Sequence, residues 1–397
     1  MATDGRLDVG ILAGEPSGDL LGAGLMQALR ARAPNVRFRG VGGPRMLEQG
    51  LESLASIDAF AMNGFVEPIK RFPNLFRVIR SLRAAFLADR PDVFVGVDFN
   101  VFNLLLERLL KRRGIATIHY VSPSVYAWRR GRVKRIGRAA DLVLTLYPFE
   151  PPLYERDGVR AEFVGHPLAD VIDPVDATAG ARDELHLPAN GPVIALLPGS
   201  RMSEIAAHGR LFLETAEHVQ RALGRAVFIV PCVDAATTAA MTDLAREHAS
   251  LDVRVLHGDS HRALASADVA LVKSGTGTLE AMLFGKPMVV TYRLGALSYR
   301  IVKALLRTPY VALPNILAGR RLVPELLQHD ADPERLARAL IAELERGRAG
   351  AHLTEFRSLH ASLRRGANQR AAAAVLALID HATSRNDHGT SRNEKGR

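Results

Sequence analysis

Apolar residues in this chain fall into short uninterrupted blocks, separated by polar loops and by longer stretches in which apolar positions recur every three to four residues. Blocks of about five read as buried strands, and the periodic stretches read as amphipathic helices. In the first half the pattern predicts strands at 9–13, 37–41, 93–97, 117–121, 142–146 and 162–164, and helices at 20–32, 75–88 and 101–113. Within the first helix Leu21, Leu25, Ala28 and Leu29 share one face, and Pro34 stops it. Between His166 and Gly191 the period is lost, apart from a short helical stretch near 182–185, while Pro, Gly and Asp accumulate, so this segment reads as a linker. The pattern then restarts, with strands at 193–197, 226–230, 253–256, 269–272 and 288–291, a helix at 203–223 and another after Ser274. Helices at 333–346 and 367–382 close the chain. Two successive βα series with fully apolar strands predict an α/β protein of two doubly wound, Rossmann-like domains. The expected division is 1–170, 171–345, final helices over 346–382, and a disordered polar tail over 383–397.

Open α/β sheets bind ligands beyond the carboxyl ends of their strands, so the strand-end loops are the candidate chemistry. Ser274-Gly275-Thr276-Gly277-Thr278-Leu279-Glu280 follows the strand 269–272 and opens a helix. Backbone N–H groups at a helix start, beside small hydroxyl side chains, suit a phosphate. The loop lacks the lysine of a P-loop and the spacing of a dinucleotide fingerprint. Glu280, in the first turns, is placed to meet a ribose hydroxyl, so the loop reads as a site for a nucleotide-diphosphate donor. Pro198-Gly199-Ser200-Arg201 follows the strand 193–197, and the five donors of Arg201 suit a diphosphate; the alternative is an ordinary loop with an exposed arginine.

In the first half, Gly14-Glu15-Pro16-Ser17-Gly18-Asp19 follows the first strand. Glu15, Ser17 and Asp19 offer polar groups; equally, Ser17 caps the helix and Asp19 favours its dipole. Asp98 ends the run Val93-Phe94-Val95-Gly96-Val97. It reads either as a base for an attacking hydroxyl or as a helix cap.

Composition narrows this picture. A chain of 397 residues with 48% hydrophobic and 24% charged residues can bury two cores. One cysteine, Cys232, excludes a disulfide framework and any multi-cysteine metal site. The thirteen histidines form no H-E-x-x-H pair, no G-x-S-x-G elbow is present, and no Asp-x-Asp cluster awaits a divalent ion. No metal and no cofactor are expected, and a leaving diphosphate would be stabilised by Arg201 and helix dipoles. The first apolar run is too short for a signal-peptide core, and no run approaches the ~20 residues that span a bilayer.

The formal charge of +10 favours anionic partners, or reflects a solvated basic surface. Two stretches concentrate it. In 65–80, Phe65, Val66, Ile69, Phe72, Leu75 and Phe76 mix with Lys70, Arg71, Arg77 and Arg80, a composition suited to a membrane surface or to a helix packed on its own core. In 128–135, Trp128 precedes five cations that would meet a phosphate or a membrane. No nucleic-acid motif accompanies either stretch.

Several words together resemble one family. They are Gly14-Glu15-Pro16-Ser17-Gly18-Asp19, Val121-Ser122-Pro123-Ser124-Val125-Tyr126-Ala127-Trp128, Leu197-Pro198-Gly199-Ser200-Arg201 with Glu204-Ile205, Ser274-Gly275-Thr276 with Leu279-Glu280, Leu313-Pro314-Asn315, and Pro324-Glu325-Leu326-Leu327-Gln328. In this order they resemble the lipid-A-disaccharide synthases, bacterial glycosyltransferases of the GT-B fold, over residues 9 to about 380. Val101 stands where that family usually has a second acid, leaving Asp98 as the sole base candidate of its loop; Gly277 stands where alanine is usual. The resemblance implies two domains facing a cleft, with the final helices packing back on the first. It implies transfer from UDP-2,3-diacylglucosamine to 2,3-diacylglucosamine 1-phosphate (lipid X), with inversion and release of UDP. It implies Asp98 as base, Glu15 and Ser17 on the acceptor side, Arg201, Ser274, Gly275 and Thr276 on the diphosphate, Glu280 on the ribose, and Asn315 in the donor site. Acylated substrates imply a cytoplasmic enzyme docked on the inner membrane through Phe65 to Phe76. Another GT-B enzyme acting on UDP-N-acetylglucosamine, such as a peptidoglycan glycosyltransferase or a 2-epimerase, remains the nearest alternative. A non-catalytic basic protein that binds lipid or nucleic acid is the alternative from another class.

Overall fold

A computed structural model describes residues 6–57, 68–123, 130–173, 177–188, 190–295, 308–348, 350 and 352–393. The chain forms two units, one of Met1–Pro167 with Leu363–Arg397, the other of Leu168–Ser362.

The first unit is built on β1 (Asp8–Ala13), β2 (Arg37–Val41), β3 (Leu51–Ser53), β4 (Val93–Val97), β5 (Ala116–Tyr120), β6 (Leu142–Thr145) and β7 (Ala161–Phe163). They pair in the order β3-β2-β1-β4-β5-β6-β7, and every pair is parallel. Alternation along β1 divides its side chains between two cores, as the two-residue period of a strand requires. Val9, Ile11 and Ala13 join α1 (Pro16–Arg32) and the final helix Ala367–Asn393. Leu12 faces the other way, toward α3 (Pro68–Ala88) and α4 (Asn100–Lys111), after the short α2 (Pro44–Glu48). In α4, Phe102, Leu106 and Leu110 recur at four-residue spacing and are all buried.

The second unit repeats the plan with β8 (Val193–Leu197), β9 (Val227–Cys232), β10 (Asp252–His257), β11 (Val269–Lys273), β12 (Met288–Tyr292) and β13 (Glu325–Leu327). The order is β10-β9-β8-β11-β12-β13, again parallel throughout. In each sheet the chain winds out from its first strand to one edge and then returns to build the other side. The reversal lies between β1 and β4 in one unit and between β8 and β11 in the other. Crevices for ligands open at such reversals.

The expected pair of doubly wound sheets is present. Elements lacking a strong apolar signal were not predicted: the three-residue strands β3 and β13, and the helix Ala235–Arg246, which buries only Thr237 and Met241. That helix is specified by its start, where Asp234 and Thr237 form a reciprocal capping box. The segment read as a linker holds two short helices, Pro167–Val171 and Ala177–Glu184. Residues 383–393, read from the sequence as the start of a disordered tail, continue the final helix. Among the described residues no helix is long and apolar enough to cross a membrane.

Candidate active site

In the first unit the loops after β1 and β4 meet at the reversal. Ser17 Oγ donates to Asp98 Oδ2 at 3.3 Å, so it binds the carboxylate rather than capping α1, whose N-cap position is Glu15. Glu15 and Ser17 are exposed and Asp98 is half-buried, so all three can be reached from solvent. Asp19 has a different task. It is buried, and its carboxylate accepts from the N–H groups of Gly43, Arg45 and Met46, holding the start of α2.

Asp98 is held in a strained backbone. Asp98 and the following Phe99 have φ of 50° and 45°. Two consecutive non-glycine residues in the left-handed region cost roughly 1–2 kcal/mol each. Asn103 supplies the restraint: fully buried, its Nδ2 faces the carbonyls of Leu12, Val97 and Asp98 at 3.3, 3.2 and 2.8 Å. The Asp98 N–H donates to Tyr120 O. Val101, where the resemblance usually has an acid, is 84% exposed on the first turn of α4.

Beyond β5, the start of the Ser-Pro-Ser word is anchored from below. Ser122 Oγ and Tyr154 Oη lie 2.7 Å apart, and both residues are buried. Burial pushes the Glu150 carboxyl up to about 8, against the pull of the Tyr147 N–H, the Ser122 hydroxyl and the Leu146 N–H. Residues 124–129 of that word lie outside the described residues.

In the second unit the loops after β8 and β11 meet at the equivalent reversal. Arg201, 70% exposed, is the N-cap residue of the 22-residue helix Met202–Leu223. The helix opened by the 274–280 loop, Gly277–Leu283, has only seven residues, so the longer dipole points out beside Arg201. Glu204 ties the two loops together. Its Oε2 accepts from Ser200 N at 2.8 Å and its Oε1 from Lys273 Nζ at 2.7 Å. Burial works to raise the Glu204 pKa, but Lys273, the Ser200 N–H and Arg201 outweigh it and hold the carboxyl below its ordinary value. Gly199 is required for this closeness: its φ is 139°, and a Cβ there would lie 2.4 Å from Glu204 Cβ. Behind the loop His208 stacks on Tyr292, with its Nδ1 at Glu204 O and its Nε2 accepting from Arg293 N. Burial keeps its pKa low, so the neutral ring is the form held there.

The remaining predicted donor residues divide. Gly275 and Thr276 are exposed, while Ser274 is half-buried with its hydroxyl donating to Val311 O. Glu280 accepts from Ser260 Oγ at 3.3 Å and lies 3.8 Å from His261 Nε2. Asn315 is fully buried. Its Oδ1 accepts from Leu322 N and Val323 N, and its Nδ2 donates to Val323 O and Glu325 Oε1. Both donors and both lone pairs are used within the protein, so Asn315 shapes the 311–325 segment and has nothing left for a ligand. Glu325 completes that clasp by accepting from Val311 N and Ala312 N.

Lys273 was missed by the sequence reading, as were the roles of Glu204, Asn103 and Glu325. The signal for Lys273 was available: a lysine closing an apolar strand, immediately before a polar loop. On the expected docking stretch, Phe76 is 55% exposed, whereas Leu75 packs on the core beneath α3. Phe65 and Val66, and the side chains of Ile69 and Phe72, lie outside the described residues.

A family profile for lipid-A-disaccharide synthetase matches residues 9–378. The chain belongs to the lipid-A-disaccharide synthase family. It is a glycosyltransferase of lipid A disaccharide synthesis. The lipid-A-disaccharide synthase of Azotobacter vinelandii is 48% identical over 380 residues, covering 95% of this chain and 100% of that relative. Fold likeness reaches further than the family. The glycotransferase of kitacinnamycin matches with a TM-score of 0.61 at 18% identity, over 94% of this chain and 99% of that one. The UDP-GlcNAc 2-epimerase of Neisseria meningitidis, bound to UDP-GlcNAc, matches with a TM-score of 0.59 at 11% identity, over 94% and 99%. At such low identity these two matches speak for the GT-B fold class alone. The lipid-A-disaccharide synthase assignment rests on the family profile and the close relatives, which decide against the epimerase alternative.

Proposed function

We propose that this enzyme transfers the sugar of UDP-2,3-diacylglucosamine to the 6-hydroxyl of lipid X, with inversion at the anomeric carbon. Asp98 takes the proton of the acceptor hydroxyl. The hydroxyl oxygen bonds to the anomeric carbon as the bond from that carbon to the diphosphate breaks, and UDP leaves with the electron pair. The products are the β-1′,6-linked disaccharide 1-phosphate and UDP. The observation that carries this reading is the accessible carboxylate of Asp98, held at the reversal of the first sheet against strain, with Ser17 as its hydrogen-bond donor. Glu15 and Ser17 line the acceptor side.

Negative charge developing on the departing diphosphate is met by Arg201, by the start of the helix Met202–Leu223, and by the loop Ser274-Gly275-Thr276. Lys273, paired with Glu204, keeps that loop beside Ser200. Glu280 holds the ribose, and Asn315 acts on the donor site by shaping the segment behind it. That UDP-GlcNAc occupies the epimerase of like fold supports a UDP-linked donor. The exposed Phe76, flanked by the exposed Arg77 and Arg80, supports docking of this cytoplasmic enzyme on the anionic face of the inner membrane, where both acylated substrates reside.

The test is direct. Incubated with the acylated UDP donor and lipid X, without added metal, the protein should release UDP and disaccharide 1-phosphate in equal amounts. Release of UDP without disaccharide, or equal turnover of UDP-N-acetylglucosamine, would refute the substrate assignment.

A further inference from the structure

Behind Asp98 lies a buried acid–imidazole pair that no step above uses. Glu107 on α4 and His119 on β5 are both fully buried. His119 Nδ1 lies 2.7 Å from Glu107 Oε1, and its Nε2 lies 3.0 Å from Asn100 Oδ1. Asn100 Nδ2 in turn donates to Asp98 Oδ1 at 3.4 Å. Four side chains thus run in a line from the interior of the sheet to the accessible carboxylate. The fold makes room for the line: Gly96 on β4 is the register partner of His119, and a Cβ there would lie 2.1 Å from Glu107 Oε1.

As a stabilising device the pair is a poor choice. Its second carboxyl oxygen, Glu107 Oε2, is buried without a hydrogen-bond partner. Buried polar groups in that condition are destabilising, and apolar residues commonly replace buried ionic pairs without loss. The line has an orienting consequence instead. Asn100 can face Asp98 with its N–H only if its carbonyl oxygen has a donor behind it, which is the His119 Nε2–H. That hydrogen is present when the proton between Glu107 and His119 Nδ1 stays on the Glu107 carboxyl, because the neutral ring then accepts at Nδ1 and carries its own hydrogen on Nε2. Burial pushes the Glu107 carboxyl up, against the pull of His119 and Lys111, which favours the protonated carboxyl. Lys111 is turned to Asp141, 3.0 Å away, and to the carbonyls of Gly137 and Ala140. Glu107 and His119 are closed off from solvent, whereas Asn100 and Asp98 are half-buried at the outer end of the line.

We propose that Glu107 and His119 are positioning residues for the transfer: they fix the orientation of Asn100, and through it aim the Asp98 carboxylate. The inference rests on Asp98 acting as the base. Asn100→Ala should lower kcat roughly 10–100-fold, the scale of a misaimed group, with KM for both substrates within about two-fold. Glu107→Leu should behave alike. Glu107→Gln should retain most of the rate, because its amide N–H replaces the proton facing Nδ1. The deciding measurement is a double-mutant cycle. In an Asp98→Asn background, Asn100→Ala should have no further effect on kcat. If it lowers kcat there by the same factor as in the wild type, Asn100 does not act through Asp98. If Asn100→Ala and Glu107→Leu lower only the melting temperature, the line is merely structural. Each result overturns the proposal while Asp98→Asn itself remains slow. A normal rate for Asp98→Asn would remove the base assignment, and this inference with it.

Discussion

The loops after β4 and β11 occupy the same place in two sheets of the same design, and they bend by opposite means. After β4, Asp98 and Phe99 adopt left-handed backbone without being glycine, and the buried amide of Asn103 holds them there. After β11 the corresponding bend falls on Gly275, at φ 157°, where no strain arises. The difference follows from what each loop must present. The proton acceptor proposed for the first loop has to be a side chain, so position 98 cannot be glycine and its bend must be held by its neighbours. The diphosphate cradle proposed for the second loop would offer backbone N–H groups, so that loop can use glycine. The first site is therefore a restrained carboxylate over a buried polar network, and the second an exposed cation beside a helix start.

Four measurements can break or sharpen this contrast. Asp98→Asn should reduce kcat by about 10²–10⁴-fold, the usual contribution of a general base, with little change in the melting temperature. A near-normal rate would remove Asp98 from the chemistry. The buried acids of the first unit should also make it pH-sensitive. Glu150 has an ordinary pKa of 4.5 and one of about 8 when folded, so between these values the folded state holds a proton that the unfolded chain has lost. Stability from this residue is full below about pH 4.5, falls as pH rises, and levels off above about 8. Relative to wild type, Glu150→Gln should gain stability on the order of a few kcal/mol between pH 5 and 8. Parallel denaturation curves at both pH values would show instead that Glu150 ionises freely.

The second site should respond to charge rather than to packing. Arg201→Ala should lower kcat/KM for the UDP donor about 10–100-fold, equivalent to the roughly 1.5–3 kcal/mol of a charge-assisted hydrogen bond. Unfolding should be unaffected, since the side chain is mostly exposed. Unchanged donor kinetics would move the diphosphate elsewhere. The smallest effect is expected from Phe76→Ser, a several-fold weaker binding to anionic phospholipid vesicles without loss of fold. Equal vesicle binding would leave the exposed ring of Phe76 unexplained by docking.

Strand-end logic made much of the candidate site legible. Apolar blocks located most strands of both sheets, and the polar loops after β1, β4, β8 and β11 followed. What could not be read was the division of labour within each word. Ser17 and Asp19 stand two residues apart in one motif, yet one binds Asp98 and the other holds α2 from within the core. Helical geometry points such residues in different directions, and sequence alone does not say what lies there. Asn315 looked like a ligand contact because it sits in a shared word, but its hydrogen bonds close on Leu322, Val323 and Glu325. Glu107 and His119 were invisible for a simpler reason. They come together only when α4 lies over β5, so no spacing along the chain records the pair.

The final helix has a consequence for how the molecule is made. Ala371, Ala372, Ala374, Val375 and Leu378 fill the same core as β1 and α1. During synthesis the first unit therefore cannot complete that core until residues 371–378 have left the ribosome. The second unit, continuous from Leu168 to Ser362, is whole by then. The half of the chain made first is the half finished last, reversing the usual order in which domains mature on the ribosome.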